Sequence, residues 1–167
     1  MKFRSLFFIL VVSLLLSGCG LLGNNADTGE SITQDYDYAS GGQNFSVLLN
    51  GVGMKIDSVI PRSGARVGYT YLVLTVELVN QSSNPIVPET FVLVDDASNK
   101  YASQKNLAFE SELTRLPLFV NKGDEGVTGH IIFEVPNAAL QADLRLRWES
   151  ESHKSRIDIF LGALPAV

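Results

Sequence analysis

The run "YTYLVLTVELVN", Tyr69 to Asn80, places apolar side chains at every second position. Leu72, Leu74, Val76 and Leu78 fall on one face, and Tyr71, Val73, Thr75, Glu77 and Val79 fall on the other. A two-residue period of this length, rich in β-branched residues, describes a strand buried on at least one side.

The same period returns in "GVTGHIIFEVP", where Val127, Gly129, Ile131, Phe133 and Val135 share a face. In "LRLRW", Leu144, Leu146 and Trp148 point inward, with Arg145 and Arg147 outward. "RIDIFL" groups Ile157, Ile159 and Leu161. Shorter strands are predicted at 45–49, 52–60, 91–94, 100–102 and 116–120. Turn-forming stretches separate them, including "NGVG", "NQSSNP", "DDASN" and "NKGDEG". Segment 106–113 reads as a loop or short helix, and "PNAALQAD" as holding a single helical turn.

Seven to nine short strands with no helical crossovers predict an all-β fold, an immunoglobulin-like antiparallel β-sandwich of Greek-key type, over residues 44–163. A closed barrel is the main rival. The single tryptophan, Trp148, is expected to fill the space between the sheets. One cysteine allows no internal disulfide, so packing must stabilise the sandwich.

That cysteine, Cys19, sits elsewhere. Lys2 and Arg4 precede the apolar run Leu6 to Leu16, eleven residues long. As a helix this run spans only about 16 Å, too short for a hydrocarbon core of about 30 Å. It reads as a secretory signal over residues 1–18. The sequence Leu16-Ser17-Gly18-Cys19 follows. It resembles the lipobox of bacterial lipoproteins, in which an apolar residue and two small residues precede a cysteine. The resemblance implies that the Cys19 thiol is diacylglycerated, with palmitate-type chains, and that the signal is cut just before it.

Two acyl chains anchor stably where one is marginal, at about 0.8 kcal/mol per buried methylene. Residues 19–43, rich in Gly, Asn, Ser, Thr and Asp, read as the lipidated N-terminus and a flexible linker. Within it, Asp35-Tyr36-Asp37-Tyr38 alternates acid and aromatic and reads as a solvated segment whose tyrosines lie against the domain. The expected location is the cell membrane or the outer membrane, lipid-anchored and extracytoplasmic. Gly20 lacks the aspartate that, by resemblance to a known sorting rule, signals retention at the inner of two membranes.

The whole chain carries 13 basic and 18 acidic residues, net −5. Loss of residues 1–18 removes Lys2 and Arg4 and no acid, leaving −7. This balance argues against a nucleic-acid partner, whose phosphates need a basic face. Attachment to a bilayer then rests on the acyl chains.

Beyond the lipobox, the order "YLVLTVELVNQSSNPI", "FVLVDDASNKY", "GVTGHIIFEVP", "LRLRW" resembles the immunoglobulin-like domain-of-unknown-function family 4352. The likeness spans about residues 45–161. The turn in "DDASNKY" departs from the aspartate-glycine turn more frequent in that family, which touches local turn geometry only. The resemblance implies a fold and brings no catalytic residues.

Chemistry is sparse. His130 and His153 lie 23 residues apart without metal-ligand spacing, His130 on an outward strand face and His153 in the charged turn "ESESHKSR". Both read as solvated. Asp95 and Asp96, with Asn99, form a weak cation candidate that lacks the D-x-D-x-D-G pattern and reads first as turn residues bonding their own backbone. No G-x-S-x-G elbow or phosphate loop occurs. No catalytic, metal or cofactor residues are expected, and the chain reads as a non-enzyme.

The functional expectation is a binding or interaction module of the cell envelope with a protein partner. Tyr71, Val73 and Val79 are its contact surface if that strand face is uncovered. The alternatives are an envelope hydrolase or metal-binding enzyme, and a surface lipoprotein without a specific ligand.

Overall fold

A computed structural model describes residues 35–162 and 164, apart from 64, 106 and 125. The signal sequence 1–18, Cys19 and the first part of the linker lie outside the described residues.

The chain forms nine strands: β1 (Asp37–Gly42), β2 (Val47–Leu49), β3 (Val52–Arg62), β4 (Tyr69–Asn80), β5 (Val92–Val94), β6 (Lys100–Ala102), β7 (Val127–Pro136), β8 (Arg145–Ser150) and β9 (Ser155–Phe160). They build a sandwich of a five-stranded sheet, β1-β9-β8-β5-β6, and a four-stranded sheet, β2-β3-β4-β7. Short 3-10 turns at Pro88–Thr90, Glu110–Glu112 and Asn137–Gln141 complete the described elements. The last two take the positions expected for a short helix at 106–113 and a helical turn after Pro136.

The alternation of β4 is physical. Leu72, Leu74, Val76 and Leu78 are fully buried and face Leu93, Leu146, Trp148, Ile157 and Ile159 of the other sheet. Phe133 and Val135 of β7 and Met54 and Ile56 of β3 fill the same layer. Each such side chain contributes about 1.5–3 kcal/mol on leaving water, which is how a sandwich without cross-links holds together. Asn50 (φ 50°) and Gly51 (φ 79°) make the tight β2–β3 turn, where both positions need left-handed backbone.

Three expectations need correction. The linker does not run to residue 43: residues 37–42 form β1, which pairs parallel with β9 from Asp37↔Ser155 to Gly42↔Phe160. Its sequence, DYASGG, holds one large apolar side chain and two glycines, so no hydrophobic period marks it. The sandwich is therefore antiparallel except for this one pair. Residues 116–120 form no strand; Arg115 and Val120 make isolated bridges, to His130 and Ile86.

Candidate functional site

The long connection from β6 to β7 folds back over the four-stranded sheet. Ser103 bridges Phe133 and Arg115 bridges His130, so two separated stretches of the connection lie along the outer edge of β7. Gln104 N–H donates to Ile132 O at 2.7 Å, and His130 N–H donates to Thr114 O at 2.8 Å. Gly129 permits the approach: a Cβ there would sit 2.7 Å from Leu116 N.

A groove of about 160 Å³ lies between these stretches, with Gln104, Lys105, Leu113, Thr114, Leu116 and His130 among its lining. Its acids are engaged. Glu110 pairs with Arg115 at 3.2 Å, and Glu89 pairs with Lys105. His130 is half-buried, and its Nδ1 lies 2.9 Å from Thr114 O, a geometry in which the ring donates to the carbonyl. His130 is thus a groove-wall residue and not a freely solvated one.

The same connection covers the outer face of β4. Phe109 packs on Tyr71 with ring centroids 5.5 Å apart, and Arg62 lies 5.2 Å from the Phe109 centroid. Val73 is buried beside Ile132, and Val79 backs on Gly53. The outward side chains of β4 are therefore intramolecular contacts, because a sheet with apolar residues on both faces needs a second cover.

On the outer face of the five-stranded sheet, the arginines expected in solvent are buried. Arg147 Nε donates to Asp158 Oδ1 at 2.8 Å, and Arg147 Nη2 to Asp158 Oδ2 at 3.0 Å. Arg145 and Arg156 each approach Asp158 Oδ2 at 3.4 Å. Tyr38 of β1 lies over this cluster, with its hydroxyl 3.5 Å from Asp158 and its ring 5.8 Å from Arg156. The cross-strand register Arg147↔Asp158 is the sequence signal that marks it: charges of opposite sign at outward positions of two consecutive strands.

His153 is also buried, contrary to its reading as solvated. Its Nε2 is 2.9 Å from Ser82 Oγ, its Nδ1 is 2.7 Å from Ser150 Oγ, and its ring stands edge-on to Trp148 at 5.0 Å. Neighbouring Asn80 is fully buried with its amide satisfied: it donates to Asn84 O and Val120 O, each at 2.8 Å, and accepts from Ser82 N–H and Oγ. Polar side chains thus knit three loops into one end of the sandwich.

Asp95 serves its own turn. It accepts from Asn99 N–H, Asn99 Nδ2 and Tyr101 Oη at 2.8–2.9 Å. Burial pushes its carboxyl up, and the bonds from Asn99, Tyr101 and the backbone outweigh it and hold the group below its ordinary value. Asp96 is exposed beside it. Among the described residues no three His, Cys, Asp or Glu side chains gather as metal ligands. No described helix is long and apolar enough to cross a membrane.

No family model and no curated protein matches the chain. The resemblance to family 4352 is therefore carried by its motifs alone. Among solved structures, the candidate lipoprotein ycdA of Bacillus subtilis is similar with TM-score 0.56 and 14% identity over 72% of this chain. This chain spans 39% of the length of that protein. The yjhA protein of Bacillus subtilis is similar with TM-score 0.51 and 14% identity, covering 72% of this chain and 98% of that one. At such identities the likeness establishes a shared fold, the β-sandwich.

Proposed function

We propose that this chain is a lipid-anchored extracytoplasmic protein whose immunoglobulin-like sandwich acts as a non-enzymatic contact module in the bacterial cell envelope. The anchor is the diacylated Cys19 implied by the lipobox. The fold is one that the motifs of family 4352 resemble and that the candidate lipoprotein ycdA shares.

The observation that carries the contact reading is the size and chemistry of the β7 groove. At about 160 Å³ it is smaller than the roughly 300–1,000 Å³ of small-molecule sites. Its Glu110 and Glu89 are spent in ion pairs. A depression of this size accepts one or two side chains of a protein, as interface pockets accept an anchor residue.

The experiment is photo-crosslinking in intact cells, with the reactive residue at Gln104 in the groove or at Asp96 as control. A discrete protein adduct at position 104 and none at 96 is expected. The same adducts at both positions, or none at 104, would overturn the contact reading.

A further inference from the structure

The geometry points to the loop Arg115–Lys122 as a bilayer-seating element that rests its apolar tip in the lipid headgroup boundary. This inference rests on the reading of Cys19 as the lipid attachment site and adds a second, non-covalent membrane contact.

The loop reads "RLPLFVNK". Leu118 is 68% exposed and Phe119 is 53% exposed, adjacent in sequence and preceded by exposed Pro117. Consecutive large apolar side chains in water are costly at about 25 cal/mol per Å² and mark a contact surface. Arg115 and Lys122 flank them, both exposed, with Arg115 also paired to Glu110 at 3.2 Å. An apolar tip with long amphipathic side chains on either side suits a lipid surface: the tip enters the acyl boundary while the Arg115 and Lys122 stems extend toward the headgroups.

The position of the anchor selects lipid as the occupant. Tyr36 bonds to Glu151, and Asp37 N–H donates to Lys154 O at 2.9 Å, so the polypeptide arriving from Cys19 enters beside the β8–β9 hairpin. Fifteen residues separate Cys19 from Asp35, the first described residue. Asn84 Nδ2 donates to Ser152 O of that hairpin at 2.9 Å, and the amide of Asn80 links Asn84 O to Val120 O. Val120 follows Phe119 directly. The start of the described chain and the apolar loop thus occupy the same end of the sandwich. Phe45 and Leu48, also exposed, lie along the seam of β1 and β2 with no basic flank, while Ile60 and Val67, which have Arg62 and Arg66 nearby, lie at the opposite end, where β3 turns into β4. Because Leu116, Pro117 and Leu118 also line the β7 groove, a seated loop brings that groove to headgroup level.

The test uses the full lipidated protein in vesicles of phosphatidylethanolamine and phosphatidylglycerol. A polarity-sensitive dye is attached to Leu118→Cys or, as control, to Asp96→Cys. Asp96 lies at the opposite end, because Val94 opposes Arg145 at the start of β8 while the hairpin follows its end. Both substituted side chains are exposed, so the fold tolerates the change. Blue-shifted emission at position 118, quenched several-fold more by spin-labelled lipid than at position 96, is expected. Equal quenching at the two positions overturns the seating. Dye uptake by the unsubstituted protein reports a free Cys19 thiol and overturns the anchor instead, so the two failures are distinguishable.

Discussion

Arg147 and Asp158 meet face to face across the β8–β9 hairpin in a two-pronged ion pair of 2.8 and 3.0 Å, and each is 2% exposed. The pair stands on the side of the sheet away from the apolar core, so the five-stranded sheet has a polar buried layer as well as a greasy one. Removing one partner of such a pair costs about 3–5 kcal/mol, since the remaining charge stays buried. Asp158→Asn is expected to lower the unfolding free energy by that amount, read as a lower urea midpoint at unchanged slope. An unchanged midpoint would show the cluster to be energetically idle.

Gly129 sits under the backbone of Leu116 with no room for a methyl group. Gly129→Ala is expected to lift the 113–116 stretch from β7 and destabilise the fold by about 1–3 kcal/mol, as overpacking does. Hydrogen exchange at the His130 amide, which donates to Thr114 O, reads the local opening. Slow exchange at that amide in the variant would refute the close-approach argument.

His153 links Ser82 of one loop to Ser150 at the end of β8 and supports the edge of Trp148. His153→Ala removes the ring that joins the half-buried Ser82 and Ser150 hydroxyls and empties the space beside Trp148, a loss of about 1–3 kcal/mol. Trp148 fluorescence, from the only tryptophan in the chain, should shift to the red as water reaches the indole. A native emission maximum in the variant would argue that the ring is peripheral.

Two linked groups contribute to opposite limbs of the pH profile. Asp95 has its folded pKa depressed. Its stabilisation is present above the unfolded value of about 3.9 and is lost as pH falls through the folded value. Tyr101 is pushed up to about 12 by burial and by its bond to Asp95. Its stabilisation is present below the unfolded value of about 10 and is lost as pH rises through about 12. Asp95→Asn should flatten the acid limb of urea midpoints measured against pH, and Tyr101→Phe the alkaline limb. Tyr36, raised to about 12 chiefly by its bond to Glu151, and Tyr38, raised chiefly by burial, titrate on the same alkaline side. A wild-type acid limb in Asp95→Asn would disprove the role of that turn.

For the anchor, Cys19→Ala is expected to move the protein from the membrane fraction to the soluble fraction in high salt. Intact mass of the native protein should show the added acyl chains. An alanine variant that still sediments with membranes would mean that something other than this thiol holds it.

Periodicity alone determined the body of this protein. The inward faces of β4, β7 and β8, the place of Trp148 and the turns between strands follow from alternation and turn chemistry, because burial on one face imposes a two-residue repeat. The lipobox pattern around Cys19 is likewise a matter of sequence. Only the tertiary structure decided the outward faces. Arg145 and Arg147 alternate as solvated residues would, yet Asp158 and the β1 strand bury them. Tyr71 and Val73 look like an open patch until Phe109, thirty-eight residues beyond Tyr71, lies across it. β1 has no pattern to read, since its pairing comes from backbone bonds to β9 and not from its own side chains. Local pattern records which way a side chain points; what it meets there depends on chain that is distant in sequence and is brought close only by folding.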